Sequence, residues 1–530
     1  MEDVAQSTVA LFLAFGTLWV LTACLWLHQR LKRSADDADY ELVSTSESPL
    51  PVKPEAPAAK HGKKLSEPLA MTLPSIRSLC GEFSRFGAII AFAYMCERHP
   101  VFPHGIKEHD MDMFWFLAAA LALASFLNVR RSKGGDLLNR EQTEEWKGWM
   151  QFMFLMYHYF SAHEVYNSIR VFITSYVWMT GFGNFSFFYL KADYGAIRLL
   201  QMLWRLNFLV CFLCLAMGNT YILYYICPLH TFYFLVTYAV MRPVPTANYT
   251  KWGIRWKLSV AALVIFLVWD VDLGLFSKIF FFLGDTPVVG ASSGTMWEWY
   301  FRTSLDHWST LLGMIFALNF PVATLWIKKV EALPPRPQWA IKGAVAAALV
   351  SASAWWACTI LPEPKLVYNT HNAYFGVAVP MLTYIFLRNC SPLLRTRYLE
   401  PLHSLGKITL ETYLMQHHVW LTSNAKTSLT IVPGSPKVNL VFTGCLYLLI
   451  SKELYRLTMS LRGMLLPDND LAACLRNLGA LAGALAAAIA ASWGLQACNA
   501  GWPAVILVAG VAGVGATAAV HSALANSSSR

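Results

Sequence analysis

The chain has 530 residues, of which 56% are hydrophobic and only 14% are charged. Soluble domains carry roughly 25% charged residues, so this composition excludes an ordinary soluble fold and indicates a membrane protein. The net charge of +10 does not indicate nucleic-acid binding. The basic residues lie in short loops between apolar runs, a pattern typical of cytosolic loops beside anionic lipid, so the lipid bilayer is the expected partner.

Fourteen apolar runs approach the length of a membrane span, which needs about 20 mostly apolar residues. Because a chain in lipid must satisfy its backbone hydrogen bonds internally, these runs predict an all-α, polytopic integral membrane helical bundle with about 12–14 spans. The runs are Thr8–Leu27, Leu79–Cys96, Met113–Val129, Trp149–Ile173, Leu199–Met217, Tyr221–Met241, Trp256–Phe276, Ser309–Ile327, Trp339–Leu361, Tyr374–Leu387, Ile408–Leu421, Val438–Tyr455, Leu475–Leu495 and Trp502–Val520.

The position of these runs predicts the domain organisation. Residues 1–33 are predicted to be an N-terminal signal-anchor span, because the first run precedes a basic stretch and lacks a small-residue cleavage site. Residues 34–78, rich in Ser, Pro and charged side chains, are predicted to be a disordered linker. The multi-span domain is predicted over 79–466, and residues 467–530 are predicted to form Ala/Gly-rich scaffold spans.

The run Trp149–Phe188 concentrates ionisable side chains at membrane depth. Such groups are costly in lipid unless they are paired or hydrated, so they normally line a bundle interior or a wet cavity. On a helix, the spacing of this run aligns a polar stripe on one face, with His158 beside it. The alternative is that these groups only connect helices. The stripe is Tyr157, Ser161, Glu164 and Ser168, with Asn167 and Arg170 nearby.

A second cluster lies in Leu405–Leu421. Lys407, Glu411 and His418 are spaced i, i+4 and i+11, which places all three on one helical face. A carboxylate tuned by a lysine, together with an imidazole, provides the parts of a general base. The alternative is a Lys–Glu pair at a helix end with His418 as a structural residue. His417 points off this face and is interpreted as incidental.

Other polar residues interrupt apolar runs singly, and a structural role is at least as well supported for each. His230 follows Pro228, which is expected to kink its helix beside a cavity. Arg205 is suited to hold a phosphate or a carboxylate. Arg302 and Asp306 are spaced i, i+4 and are predicted to pair. Trp204 and Asn207 flank Arg205 in its run.

Several common functional motifs are missing from the sequence. It has no P-loop, H-E-x-x-H or G-x-G-x-x-G motif. Among its eleven cysteines only Cys211 and Cys214 have C-x-x-C spacing, and these two, like most of the others, lie inside apolar runs. We therefore predict no metal site, no disulfide framework and no tightly bound cofactor.

A set of long, ordered strings carries a family resemblance over roughly Leu79 to Leu466. These strings resemble the multi-span domain of the Cas-type polysaccharide and sialic acid O-acetyltransferases, and most of all the plant reduced wall acetylation proteins. The resemblance implies an acyltransferase-3-like membrane fold. The strings are NREQTEEWKGWMQ, LMYHYF, EVYNSIRVF, YVWMTGFGNFSFFY, MLWRLNF, YYICPLHT, FRTSLDHW and LGKITLETYLMQHHVWL.

The resemblance implies a multi-pass protein of the Golgi membrane, with acetyl-CoA as cytosolic donor substrate and a luminal cell-wall or secretory-pathway polysaccharide as acceptor. We expect catalytic roles for four residues and roles in binding donor or acceptor for ten. The expected catalytic residues are His158, Glu164, Glu411 and His418. The expected binding residues are Asn167, Arg170, Trp204, Arg205, Asn207, His230, Arg302, Asp306, Lys407 and Gln416.

Two departures from the family pattern stand out. Animal and fungal relatives carry a luminal hydrolase-like domain with a catalytic Ser, whereas here that interval holds only the predicted linker and no G-D-S string. The final glycan step is then expected to need a luminal partner acetyltransferase. In addition, Tyr368–Tyr374 lacks the expected His-Pro pair. Charge bias places the linker in the cytosol while the family pattern places it in the lumen, so both orientations stay open.

Three functional hypotheses remain on the sequence alone. The first is an O-acetyltransferase in which His158 or His418, supported by Glu164 or Glu411, acts as base, by direct transfer or through an acetyl-histidine intermediate. The second is a transporter that delivers acetyl-CoA to a separate luminal enzyme. The third is a scaffold that holds soluble acetyltransferases at the membrane.

Overall fold

The computed structural model describes residues 5–44, 73–98, 101–284, 288, 293–498 and 500–528. These residues are mainly helical, which confirms the predicted all-α fold. The described α-helices are α1 (Gln6–Ser44), α2 (Leu73–Glu97), α3 (Met111–Leu127), α4 (Arg140–Tyr159), α5 (Tyr166–Lys191), α6 (Ala196–Met217), α7 (Ile226–Met241), α8 (Lys251–Ile265), α9 (Leu275–Ile279), α10 (Thr295–Ser304), α11 (Ser309–Glu331), α12 (Pro335–Thr359), α13 (Lys365–His371), α14 (Val377–Asn389), α15 (Pro392–Arg395), α16 (Glu400–Lys407), α17 (Thr409–Met415), α18 (Pro436–Leu465), α19 (Leu471–Ala497) and α20 (Trp502–Ser528).

Shorter elements lie between these helices. The strands are β1 (His104–Gly105), β2 (Val129–Arg131), β3 (Arg397–Leu399), β4 (Leu421–Thr422) and β5 (Thr427–Leu429). The 3-10 turns are His163–Val165, Tyr221–Tyr224, Pro245–Tyr249 and Phe281–Leu283. Three π-helical segments, Phe266–Asp270, Asn372–Gly376 and Gln416–Trp420, each carry a polar residue discussed below. This matters because π-helical insertions are frequent at functional sites.

Nine helical stretches within the described ranges are long and apolar enough to cross a membrane. They confirm a polytopic membrane protein. The number is below fourteen because several predicted runs form short or interrupted helices. The nine are Gln6–Leu31, Ser75–Glu97, Ala196–Met217, Lys251–Asp270, Thr295–Glu331, Pro335–Thr359, Pro436–Leu465, Leu471–Ala497 and Trp502–Ala523, and Met111–Leu127 and Ile226–Met241 are shorter apolar helices.

The chain divides into two compact units, of which the first comprises Met1–Tyr94, Phe212–Asn219 and Glu453–Arg530. In this unit α1 packs against α19 and α20. Small residues allow the close approach, since a Cβ at Gly16 would lie 2.9 Å from that of Ala509. Helix α1 continues to Ser44 and α2 begins at Leu73, inside the predicted linker, whose other residues, 45–72, lie outside the described residues.

The second unit comprises Met95–Cys211 and Thr220–Lys452. Its closest helix pair is α4 with α16. Gly148 and Gly406 permit this crossing, because a Cβ at either position would overlap a carbonyl oxygen of the other helix. Helix α5 approaches α11 in the same way at Gly181 and Gly313. These crossings fix the helices that carry most of the polar residues predicted from the sequence.

Two small β ladders mark opposite ends of α4 in the second unit. Antiparallel β2 and β3 pair just before α4 and α16 begin. The second ladder, in the order β1-β5-β4, follows the π segment Gln416–Trp420 and precedes α3. Helix α4 has 20 residues, so it spans about 30 Å, the thickness of the hydrocarbon core. We call the β2–β3 side the ribbon end and the β1–β5–β4 side the sheet end.

The predicted helix over Trp149–Ile173 is wrong in one respect that affects the candidate site. Helix α4 ends at Tyr159, Ser161 takes a left-handed conformation with φ of 49°, and a 3-10 turn precedes α5. A residue at positive φ cannot continue a right-handed helix. The predicted stripe of Tyr157, Ser161, Glu164 and Ser168 therefore does not share one helix face.

The predicted helix over Ile408–Leu421 is also interrupted. Helix α16 ends at Lys407, α17 covers only Thr409–Met415, and the chain then forms the π segment Gln416–Trp420. The i, i+4, i+11 spacing no longer aligns Lys407 with Glu411 and His418, because each interruption rotates the following residues about the axis. The predicted common face of these three residues is therefore wrong.

Candidate active site

Two consecutive histidines on the π segment Gln416–Trp420 form the centre of the candidate site. His418 is fully buried and His417 is 8% exposed. Their ring centroids lie 6.1 Å apart. The wider turn of the π segment lets both neighbouring rings remain in the interior, whereas on a regular α-helix consecutive side chains diverge by about 100°.

His418 lies between a carboxylate and a phenol. Its Nδ1 is 3.8 Å from Oε2 of Glu97, and its Nε2 is 2.6 Å from the hydroxyl of Tyr224. The Glu97 carboxylate accepts hydrogen bonds from the backbone N–H groups of Ser423 at 2.7 Å and Asn424 at 3.0 Å. Backbone donors of this kind keep a carboxylate ionised in a buried position, so it can stabilise a protonated imidazole.

The loop that holds Glu97 has an unusual backbone. Ser423, Asn424 and Ala425 all adopt positive φ, at 54°, 57° and 67°. Three consecutive residues in this region cost energy because their Cβ atoms crowd the backbone. The conformation turns the Ser423 and Asn424 N–H groups toward the carboxylate, which offsets part of this cost.

Glu97 is the functional candidate that the sequence predictions missed. It ends α2, directly after Cys96, where the predicted span stops. The only feature of the sequence that marks Glu97 is its position as a single carboxylate between an apolar run and Arg98. Its partner His418 lies far away along the chain, so no local spacing connects the two residues.

His417, which the sequence alone indicates as incidental, is buried and interacts electrostatically with the predicted residue His158. The Nδ1–H of His417 donates to the carbonyl oxygen of Tyr413 at 3.0 Å, which leaves a lone pair on Nε2. His158, at the end of α4, is close enough to feel the charges of His417 and Arg302. Neither ring nitrogen of His158 hydrogen-bonds to another described residue. We call Glu97, His158, Tyr224, His417 and His418 the histidine cluster.

Gln416, which directly precedes the two histidines, has a fully buried side chain. Neither its Oε1 nor its Nε2 has a hydrogen-bond partner among the described residues. A buried amide without partners is costly, and native proteins rarely keep one without a functional reason. Its N–H groups are therefore free to donate to a further acceptor.

Glu411 and Arg205 form the next polar pair. Glu411 is fully buried and accepts two hydrogen bonds from the guanidinium of Arg205, one of them at 3.0 Å. The predicted Lys407–Glu411 pair is wrong, since Lys407 is exposed on the other side of the helix interruption. Arg205 neutralises a buried carboxylate at this position.

Arg170 and Asp306 form a separate buried network. Arg170 Nη2 lies 2.8 Å from Asp306 Oδ2, and the Thr174 hydroxyl donates to Oδ1 at 2.6 Å. Asn372, on another π segment, donates to Thr174 at 2.9 Å and to the carbonyl oxygen of Leu305. We call Arg170, Thr174, Asp306 and Asn372 the arginine–aspartate network.

Arg302 does not pair with Asp306, so that prediction is wrong. Its guanidinium lies 4.1 Å from the ring centroid of Tyr225 and 3.3 Å from a carboxylate oxygen of Glu298. The Tyr225 ring in turn lies 6.4 Å from that of Tyr413. Arg302 therefore belongs to the aromatic surroundings of the histidine cluster, while Asp306 points into the arginine–aspartate network.

Glu164 lies away from the histidine cluster. Its side chain is 58% exposed and pairs with His109 at 3.1 Å, because the 3-10 turn directs it outward. The structure therefore does not bring Glu164 to His158 as a supporting carboxylate. Asn167 donates to the carbonyl oxygens of Leu361 and Glu363 at 2.8 and 2.9 Å, which ties α5 to the turn after α12.

The remaining predicted binding residues make local contacts. Trp204 stacks on Phe208 with centroids 4.1 Å apart, and Asn207 donates to the Thr231 hydroxyl at 3.0 Å. His230 Nδ1 is 2.7 Å from the Thr180 hydroxyl. Pro228 lies in the first turn of α7, where its missing N–H breaks no intrahelical bond, so the predicted kink is wrong.

Another polar group surrounds Asp270, on the remaining π segment. His307 Nε2 lies 3.2 Å from Asp270 Oδ1, and the Tyr374 hydroxyl donates to the same oxygen. His371, in the segment that departs from the family pattern, pairs with Glu363 at 2.7 Å. Within the described residues, no three or more His, Cys, Asp or Glu side chains are arranged to hold a metal ion.

Apolar helices and a buried Glu–His pair inside the bundle define a polytopic membrane protein with an internal polar site. The family model described as a "10 TM Acyl Transferase domain found in Cas1p" matches residues 2–478, so the chain belongs to this family of membrane acyltransferases. It is 31% identical over 441 residues to the zebrafish (Danio rerio) protein named N-acetylneuraminate (7)9-O-acetyltransferase. That match covers 80% of this chain and 55% of the relative, so the chain spans about half of that protein. No solved structure matches the chain.

Proposed function

We propose that the protein is an O-acetyltransferase of the Golgi membrane that transfers acetyl from acetyl-CoA to a hydroxyl of a cell-wall or secretory-pathway polysaccharide. The observation that carries this proposal is the Glu97–His418 pair beside the unpartnered amide of Gln416. Acyl transfer requires a base for the acceptor hydroxyl and a hydrogen-bond donor for the oxyanion. His418 and Gln416 supply the base and the donor from one buried π segment, and Glu97 supports the base from the end of α2.

In the proposed reaction, the acceptor hydroxyl takes the position that the Tyr224 hydroxyl occupies at Nε2 of His418. The imidazole removes the hydroxyl proton as the oxygen attacks the thioester carbonyl of acetyl-CoA, and Glu97 stabilises the resulting imidazolium. The amide N–H of Gln416 donates to the oxyanion of the tetrahedral intermediate. Collapse breaks the carbon–sulfur bond, and the imidazolium returns its proton to the CoA thiolate.

His158 and His417 are proposed to position the donor. His417 Nε2 keeps a lone pair because Nδ1 donates to Tyr413. His158 brings a second imidazole, whose ring contacts Phe154 and Tyr157 but whose nitrogens form no hydrogen bond with another described residue. Either group is suited to hold the thioester while His418 acts on the acceptor. Direct transfer agrees with this division, since Nε2 of His418 already lies within hydrogen-bond distance of a hydroxyl and its Nδ1 faces the Glu97 carboxylate at 3.8 Å.

The two ends of α4 suggest how the substrates approach. Arg130, Arg131 and Arg397 are exposed at the ribbon end. Basic residues favour the cytosolic side, and CoA carries phosphates that arginine binds well. Arg170 and Arg205 already neutralise buried carboxylates, so these ribbon-end bases are the better candidates for the donor phosphates. The histidine cluster at the opposite end then faces the lumen, where glycans are found.

The zebrafish relative is named as an O-acetyltransferase of a sugar, N-acetylneuraminate, which supports acetyl transfer to a sugar hydroxyl. Transport of intact acetyl-CoA without chemistry is not favoured, because the matching family is defined by acyl transfer. If a luminal partner acetyltransferase takes part, its role in this proposal is to receive the acetyl group from this protein and pass it to the glycan.

The proposal is tested with purified protein in sealed proteoliposomes, with acetyl-labelled CoA outside and a panel of methyl glycosides inside. We expect free CoA outside and acetylated glycoside inside. Intact labelled CoA inside the vesicles would establish transport instead. No release of CoA by folded protein, with glycosides and a candidate luminal partner both present, would contradict the enzyme proposal.

A further inference from the structure

A cavity of about 290 Å³ lies at the sheet end of the second unit. Ligand pockets commonly measure about 300–1,000 Å³, so this cavity fits a small ligand or one unit of a polymer. It lies between the segment that joins β1 to α3 and the segment that joins β5 to α18. Tyr159, the last residue of α4, forms part of its wall.

The cavity wall carries both an aromatic ring and uncommitted polar groups. The Tyr159 ring stacks on Trp420, with centroids 4.6 Å apart and an angle of 23° between the planes. The Tyr159 hydroxyl, the Glu108 carboxylate and the Lys437 ammonium form no hydrogen bond or ion pair with another described residue. Burial lowers the pKa of Lys107, a fourth polar residue in the wall.

One hydrogen bond and two adjacencies in the chain connect this cavity to the histidine cluster. Lys107 Nζ donates to the carbonyl oxygen of Ala425 at 3.2 Å, and Ala425 belongs to the left-handed loop that holds Glu97. Tyr159 follows His158 directly on α4, and Trp420 comes two residues after His418. Both anchoring aromatic residues are thus neighbours in the chain of the two predicted catalytic histidines.

A second cavity in the same unit offers a useful contrast. The groove between α7 and α8 has a volume of about 510 Å³ and is lined almost entirely by apolar side chains such as Val236, Val260 and Trp256. Its one lysine, Lys257, already donates to the Asn248 side chain at 2.6 Å. Such a groove suits hydrocarbon, whereas the sheet-end cavity combines an aromatic surface with groups that bind hydroxyls.

We propose that the sheet-end cavity is the acceptor subsite and that it binds a single sugar ring of the glycan. The ring packs its apolar face near Tyr159, while Glu108, Lys437 and the Tyr159 hydroxyl hydrogen-bond to its hydroxyls. This inference rests on the proposed function and adds the place and chemical class of the acceptor. It also explains the mixed charge of the wall, since carboxylate and ammonium groups both bind neutral hydroxyls well.

The first test measures acceptor and donor kinetics separately, with methyl glycosides and labelled acetyl-CoA as probes. Glu108→Gln and Tyr159→Phe keep size and stacking but weaken hydrogen bonding. We expect each to raise the acceptor KM about tenfold, because losing a hydrogen bond to a charged or buried group costs about that factor. The kcat and the KM for acetyl-CoA should stay near the wild-type values, and so should every constant of Lys426→Ala, an exposed control at the same end. An unchanged acceptor KM in the double variant would overturn the subsite.

The second test does not depend on turnover. A methyl glycoside that carries a diazirine is photo-crosslinked to wild-type protein, and the labelled peptides are mapped. We expect labels within 105–113 or 428–440, competed by excess unmodified glycoside. Labelling of these two segments without any acetyl transfer would support the subsite and contradict the proposed function. Acetyl transfer with labels confined to other segments would contradict the subsite and leave the proposed function standing.

Discussion

The histidine cluster and the arginine–aspartate network are both buried polar groups of the second unit, but they differ in how their charges are compensated. In the network, the two oxygens of Asp306 accept from Arg170 and Thr174 at 2.8 and 2.6 Å. In the histidine cluster, His417 keeps a lone pair, and the neighbouring Gln416 amide has no partner among the described residues. A self-neutralising network stabilises a fold, whereas uncommitted bases and donors are available to a substrate.

The first prediction concerns the carboxylate behind His418. Glu97→Gln keeps shape but removes the charge that stabilises the imidazolium, so acetyl transfer should fall by about 10²–10⁴-fold at unchanged substrate KM. The measurement is steady-state transfer from labelled acetyl-CoA, normalised to protein that elutes as folded on size exclusion. A wild-type kcat in Glu97→Gln would show that Glu97 has no part in the proposed reaction.

Substitutions in the arginine–aspartate network should lower the stability of the protein more than its activity. Asp306→Ala leaves the Arg170 guanidinium, which is only 3% exposed, without a counter-charge. Removing one partner of a buried pair costs about 3–5 kcal/mol, so the thermal unfolding midpoint in detergent should drop markedly. Activity per folded molecule should stay close to wild type. The double variant Arg170→Met with Asp306→Leu should recover most of the stability, and a failure to recover would assign the pair a role beyond charge compensation.

Gln416 gives the clearest contrast between a catalytic and a structural role. A substitution there is predicted to lower activity without lowering stability. Gln416→Leu removes the proposed oxyanion donor and should lower kcat by about 10²–10³-fold. It also removes an unpartnered buried amide, so the unfolding midpoint should rise or stay unchanged. A clear drop in the unfolding midpoint would show that the amide is structural.

The smallest predicted effect belongs to Tyr224. Tyr224→Phe deletes the hydroxyl that lies 2.6 Å from His418 Nε2 but keeps the ring. One hydrogen bond contributes about 0.5–1.5 kcal/mol, so kcat should change by less than about tenfold. A loss as large as that of Glu97→Gln would make Tyr224 part of the proton transfer itself.

Composition and hydropathy were sufficient to predict the fold class, because a helical bundle is one of few ways to satisfy backbone hydrogen bonds in lipid. They also directed attention to His158, Glu411 and His418, since ionisable groups in apolar runs are rare. All three lie in the second unit, where the ring of His417 is 6.1 Å from that of His418 and interacts electrostatically with His158.

The pairings of these residues were not predictable, because they depend on irregular backbone and on contacts between distant helices. The left-handed Ser161 ends the helix that was expected to align Glu164 with His158. The π segment Gln416–Trp420 turns His417 into the interior, although regular helical spacing points it away. Glu97 reaches His418 from another helix, and no periodicity within either segment encodes that contact.

The central claim is that chemistry takes place at the histidine cluster, and His418→Ala tests it most directly. The measurement is single-turnover acetyl transfer to a methyl glycoside by folded protein, alongside His371→Ala, a partly exposed histidine outside the cluster. We predict that His418→Ala lowers the rate at least about 10²-fold, in line with the loss of a general base, while His371→Ala transfers at the wild-type rate. Equal rates for wild type and a fully folded His418→Ala would contradict the account.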